Sequence, residues 1–126
     1  MHTLPERVRL AEAEWEAYVA VNDRIAEAAS GHVPASCAVW VHDYHLMLLP
    51  AMLRAAEPRL RIAYFHHIPF PSSEMFRIFP MRRQLLDGLL GADLVGFHTL
   101  DYARHFSSCV TRLLGARRVV VEHRDK

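Results

Sequence analysis

Four short apolar runs alternate with segments whose apolar residues recur at helical spacing, and few folds accommodate that alternation. The runs are residues 37–42 (CAVWVH), 61–66 (RIAYFH), 93–97 (DLVGF) and, more weakly, 118–122 (RVVVE). Each is continuously apolar rather than alternating. A strand buried on both faces reads this way, as in a parallel sheet covered by helices.

The segments between the runs carry helix signals. Thr3 and Glu6 have capping-box spacing, with Pro5 between them. Trp15, Tyr18, Val19, Ile25, Ala26 and Ala29 then form one apolar face, and Ser30-Gly31 closes the helix. Asn22 falls on that same face, so it is expected to be buried and hydrogen-bonded. Residues 46–56 form a second helical pattern, with Pro50 near its first turns or kinking it. Ser72 or Ser73 can cap a short helix near Glu74. Leu85, Leu86, Leu89 and Leu90 make a stripe before Gly91, and Tyr102, Phe106, Val110 and Leu113 make another before Gly115. Strands alternating with helices imply right-handed βαβ units. The expected fold is a three-layer α/β arrangement around an open, mostly parallel sheet.

A chain of 126 residues holds one domain and not two. Its net charge is +1 and its Arg residues are scattered, which argues against a nucleic-acid or membrane surface. No apolar run approaches the ~20 residues of a membrane helix, and the charged start lacks a signal core. Cys37 and Cys109 lack CxxC spacing, lie in apolar stretches and read as buried free thiols in a reducing cytosol. A cytoplasmic protein is expected.

In open α/β sheets, ligands bind beyond the carboxyl ends of the strands. The first run ends in His42-Asp43-Tyr44-His45, the second in His66-His67-Ile68-Pro69-Phe70-Pro71-Ser72-Ser73-Glu74, and the third in His98-Thr99-Leu100-Asp101-Tyr102. Carboxylate, imidazole and hydroxyl groups therefore converge on one edge, the pattern of a polar-ligand site. Each also has a plainer reading. Asp43 can cap the following helix. His42 and His45 can be packing residues, and Tyr64 and Phe65 read as core. Side chains alternate along a strand, so at most one of His66 and His67 faces the crevice. Pro69 and Pro71 stiffen the turn that carries His67. No glycine-rich phosphate loop and no nucleophile elbow is present. A zinc site built from His42, Asp43, His45, His67 and His98 is a minor alternative.

Three segments carry a family resemblance: VWVHDYHLMLLPAMLR (39–54), HIPFPSSEMFR (67–77) and LLGADLVGFHTLDYARHFSSCVTRLLG (89–115). Together with WEAYVAVN (15–22), they resemble the trehalose-6-phosphate synthase family. The resemblance implies a GT-B fold of two Rossmann-like domains, with residues 1–126 forming part of the N-terminal, acceptor-side domain and the second, nucleotide-sugar domain absent. It implies retaining transfer of glucose from UDP-glucose to glucose 6-phosphate, with no metal and no other cofactor. It assigns Asp43 and Tyr44 to substrate binding, with Asp43 on acceptor hydroxyls. It places His67 at the donor glucose near the reacting carbon, as the catalytic residue. It allows a homo-oligomer of the full-length protein.

The family's glycine loop is expected upstream of Met1, and its diphosphate-gripping Arg and Lys after Lys126. The only Lys here is Lys126. The chain alone is therefore expected to be inactive. The alternatives are a non-catalytic fragment or pseudo-enzyme partner of a full-length synthase, or a related glucosylglycerol-phosphate synthase. A fused phosphatase domain is compatible with the same segments.

Overall fold

The computed structural model describes residues 4–34 and 36–115. The Thr3 capping box and the run at 118–122 lie outside the described residues. The elements, in order, are α1 (Leu4–Ser30), β1 (Ala38–His42), a 3-10 turn (Tyr44–Leu46), α2 (Leu49–Ala56), β2 (Arg61–His66), α3 (Ser73–Phe76), α4 (Arg82–Leu89), β3 (Leu94–Phe97) and α5 (Leu100–Leu114). Pro50 sits in the first turn of α2, where its missing N–H costs nothing. Thr99 caps α5, its side chain accepting from Tyr102 N–H at 3.2 Å. No helix among the described residues is long and apolar enough to cross a membrane.

The three strands form one parallel sheet in the order β1-β2-β3. Val41 pairs with Tyr64 and His42 with Phe65; Tyr64 pairs with Val95 and His66 with Phe97. The α/β fold with an open parallel sheet is the expected one.

The covering of the strands differs from expectation. Val41, Ile62, Tyr64 and His66 are buried against the helices, in a core shared with Leu49, Leu53, Leu86, Leu89, Phe106 and Val110. On the opposite face, Trp40 is 66% exposed and Leu94 67% exposed. The described residues therefore cover one face of the sheet, and the strands are not buried on both. A continuous apolar run cannot report this, because it marks both faces as fit for burial without saying which residues fill them.

The helical layer is tight. A Cβ on Gly91 would lie 2.3 Å from Ala51 Cα, and one on Gly88 would lie 2.5 Å from the Met47 carbonyl oxygen. These glycines let α4 and the turn after it press directly on α2 and the residues before it.

Candidate functional site

The amino end of the sheet is closed by an ion-pair network. Arg54 donates to the carbonyls of Gly91 (3.1 Å), Pro58 (2.9 Å) and Leu60, and to Asp93 Oδ2 at 2.7 Å. The same carboxylate oxygen accepts Ile62 N–H at 2.8 Å. That backbone N–H, with smaller help from Arg54, holds the Asp93 carboxyl below its usual range against the opposing effect of burial.

The carboxyl end is different. β1 runs straight into Asp43, whose backbone has φ 71° and ψ 172°. This region is essentially glycine-only, and a residue with a side chain pays on the order of 1–3 kcal/mol to occupy it. Asp43 N–H donates to the Phe65 carbonyl at 2.8 Å, and the Asp43 carbonyl accepts from Leu46 N–H at 3.0 Å. Asp43 Oδ1 accepts the backbone N–H of His67 at 3.3 Å. The carboxylate makes no helix-cap hydrogen bond. The capping reading of Asp43 is therefore replaced by a bridge from one strand end to the next.

Helix α1 clamps this turn from below. The Tyr18 hydroxyl donates to the Tyr44 carbonyl at 2.7 Å and accepts Met47 N–H at 2.9 Å. Asn22 is fully buried, as its place on the α1 face implied, and its Nδ2 donates to the carbonyls of Tyr18 (2.9 Å) and His45 (3.1 Å).

The two histidines that end β2 part as strand alternation requires. His66 turns inward and is buried, its Nδ1 2.8 Å from the Tyr64 hydroxyl. Burial pushes the His66 pKa down; nearby Asp43 opposes this and nearby His67 adds to it. Burial likewise pushes the Tyr64 hydroxyl pKa up, so its proton stays on oxygen. His67 turns outward, exposed beside Asp43. Its Nε2 lies 2.9 Å from His42 Nδ1, and its ring packs near Phe65 and His98. His42 and His45 are both exposed, so neither is the core packing residue that the sequence suggested.

The structure thus brings Asp43, His67 and His42 together. Tyr44 joins a different neighbourhood. Its ring sits 3.9 Å, centroid to centroid, from that of His45 and lines an apolar cavity of about 370 Å³ on the helix side, together with Trp15, Tyr18, His66, Phe70 and Phe76. Among the described residues, no group of three or more His, Cys, Asp or Glu could hold a metal ion, so the zinc alternative finds no support there. Sequence reasoning missed His42 as a partner of His67. The signal was parity: His42 pairs with Phe65, two residues before His67 and on the same side, but only the strand register shows it.

The whole chain, residues 1–126, matches the model of glycosyltransferase family 20. The chain belongs to glycosyltransferase family 20. It is 50% identical over 118 residues to the UDP-forming alpha,alpha-trehalose-phosphate synthase of Emericella nidulans, covering 90% of this chain and 23% of that one. It is 53% identical over 105 residues to UDP-forming alpha,alpha-trehalose-phosphate synthase 5 of Arabidopsis thaliana, covering 80% of this chain and 12% of the relative. Among solved structures, the N-terminal domain of Candida albicans trehalose-6-phosphate phosphatase is similar, with a TM-score of 0.81 and 44% identity over 83% of this chain and 22% of that one. A Burkholderia xenovorans UDP-forming alpha,alpha-trehalose-phosphate synthase in complex with glucose-6-phosphate gives a TM-score of 0.76 and 36% identity, over 80% of this chain and 22% of that one. This family 20 chain therefore spans about a quarter or less of the length of these relatives.

Proposed function

We propose that this chain is part of the acceptor-side domain of a cytoplasmic UDP-forming trehalose-phosphate synthase, which transfers glucose from UDP-glucose to glucose 6-phosphate with retention. The observation that carries the reading is Asp43, held in a strained backbone beside His67 at the carboxyl end of a parallel sheet. Strain of this kind persists where the surrounding structure fixes a side chain for use. A carboxylate with two acceptor oxygens suits paired sugar hydroxyls. In this reading Asp43 binds the acceptor sugar and His67 meets the donor glucose; orientation of the two is the main contribution of this domain. Tyr44 shapes the turn through its backbone carbonyl. In this reading the grip on the diphosphate comes from the family's second domain.

The test uses a full-length relative that carries both the HDYH and HHIPFP segments. Asp43→Ala raises KM for glucose 6-phosphate roughly tenfold or more, as loss of a charged hydrogen bond of about 1.5–3 kcal/mol requires. His67→Ala lowers kcat by about 100-fold, as misplacement of a reactant does. Full activity in both variants would remove the site assignment.

A second reading is favoured by the likeness to the N-terminal domain of the Candida albicans phosphatase. In it the chain belongs to a synthase-like domain that accompanies a phosphatase and does not transfer glucose. UDP-glucose and glucose 6-phosphate supplied to the full-length protein separate the two readings by product formation.

A further inference from the structure

The strongest unassigned contact at the site is between two imidazoles. His42 is the last residue of β1 and His67 follows the last residue of β2. His42 Nδ1 and His67 Nε2 lie 2.9 Å apart, and the rings are only 15° from parallel with centroids 5.2 Å apart. The His42 ring packs on Trp40, with centroids 4.7 Å apart. The His67 ring is held at the same separation by Phe65 and at 5.4 Å by His98, while its backbone N–H binds Asp43.

We propose that His42 is a positioning residue that fixes the tautomer and ring plane of His67, so that the ligand meets His67 through Nδ1. The proposal rests on the reading that His67 contacts the donor sugar. One proton must lie between the two nitrogens. A free histidine side chain favours the Nε2–H tautomer, and only one assignment keeps both rings in it. His67 Nε2–H donates to His42 Nδ1, and His42 carries its own proton on Nε2. The Nδ1 of His67 is then a hydrogen-bond acceptor, suited to a sugar hydroxyl rather than to a ring or glycosidic oxygen. The partner's bond on one ring nitrogen sets what the other can do, so His42 acts on specificity through His67.

The test has two arms. In the first, the 126-residue chain is labelled with 15N-histidine, and long-range proton–nitrogen spectra read each tautomer, with a His67 variant for assignment. His67 is locked as Nε2–H in the wild type. Asn places an acceptor oxygen close to where His42 Nδ1 stands, so His42→Asn keeps the lock, whereas His42→Leu releases it. The buried His66–Tyr64 pair is an internal control for folding in each variant. A His67 signal in folded His42→Leu identical to wild type overturns the proposal. A wild-type His67 protonated on Nδ1 overturns it as well.

In the second arm, the same substitutions enter a full-length relative carrying both segments. His42→Leu lowers kcat by about 100-fold, as loss of orientation does, with KM for UDP-glucose changed less than about threefold. His42→Asn restores most of kcat. An unchanged kcat in His42→Leu overturns the positioning role even if the tautomer moves. His67→Ala with full activity sinks instead the reading of His67 as a donor contact, whatever the spectra show.

Discussion

The two ends of the same three strands are built on opposite plans. At the amino end, Arg54 donates to three backbone carbonyls and to Asp93 Oδ2, which also accepts Ile62 N–H, and no strained residue is needed. At the carboxyl end, Asp43 sits in a glycine-only backbone region and spends one carboxylate oxygen on a single long hydrogen bond. His67 beside it is exposed. Most buried polar groups that stabilise a fold have at least one hydrogen-bond partner. Groups kept strained and under-partnered are the ones a ligand can complete. The contrast teaches which polar cluster to assign to stability and which to chemistry, although both are strand-end clusters of ordinary composition.

Three experiments sharpen or break that contrast. The largest effect belongs to the amino end. Arg54→Met keeps the stem and deletes the guanidinium, leaving three backbone carbonyls and Asp93 without it. Unfolding free energy should fall by about 2–3 kcal/mol, the range for charged hydrogen bonds, as read by urea denaturation. A loss within error would mean that the network is ornamental.

The next effect has the opposite sign. Asp43→Gly should stabilise the chain by about 1 kcal/mol, because relief of strain exceeds the extra entropy that glycine loses on folding. Asp43→Ala should be less stable than Asp43→Gly, reversing the usual order of these residues. The same glycine substitution in a full-length relative should cost use of glucose 6-phosphate. If Asp43→Gly destabilised, the carboxyl end would hold no stored strain and the comparison would fail.

The smallest effect is a pH dependence. Burial lowers the His66 pKa in the folded chain, so the unfolded chain binds a proton more readily, at the ordinary value of about 6.5. The stability contributed by neutral His66 is complete above that value. It is lost as pH falls from there toward the lowered folded pKa. Asp93, also lowered, contributes at a more acidic window: its share is present above the ordinary carboxylate value and is lost as pH falls through the folded one. Thermal melts from neutral to mildly acidic pH should decline in the wild type and decline less in His66→Gln. Equal slopes would remove the burial argument.

Much of this was legible in the sequence. The runs at 37–42, 61–66 and 93–97 located the three described strands, because only short apolar stretches with helical segments between them satisfy a parallel sheet. Gly31, Gly91 and Gly115 marked the ends of helical stretches, and Asn22 declared its own burial by lying on an apolar helical face. Alternation along β2 by itself separates His66 from His67. The long signatures carried the family, since they fix dozens of residue types in order.

Tertiary structure decided the rest. Which face of the sheet is covered depends on where helices from distant parts of the chain pack, and Trp40 and Leu94 look the same in sequence whether covered or bare. The strain at Asp43 is a property of two backbone angles fixed by hydrogen bonds to Phe65, Leu46 and His67, none of which sequence spacing implies. The pairing of His42 with His67 depends on strand register, and a slip of one residue would send them to opposite faces. Local sequence sets what each segment prefers to be. Contacts between segments far apart in the chain set which side chains meet, and in this chain those contacts place the chemistry.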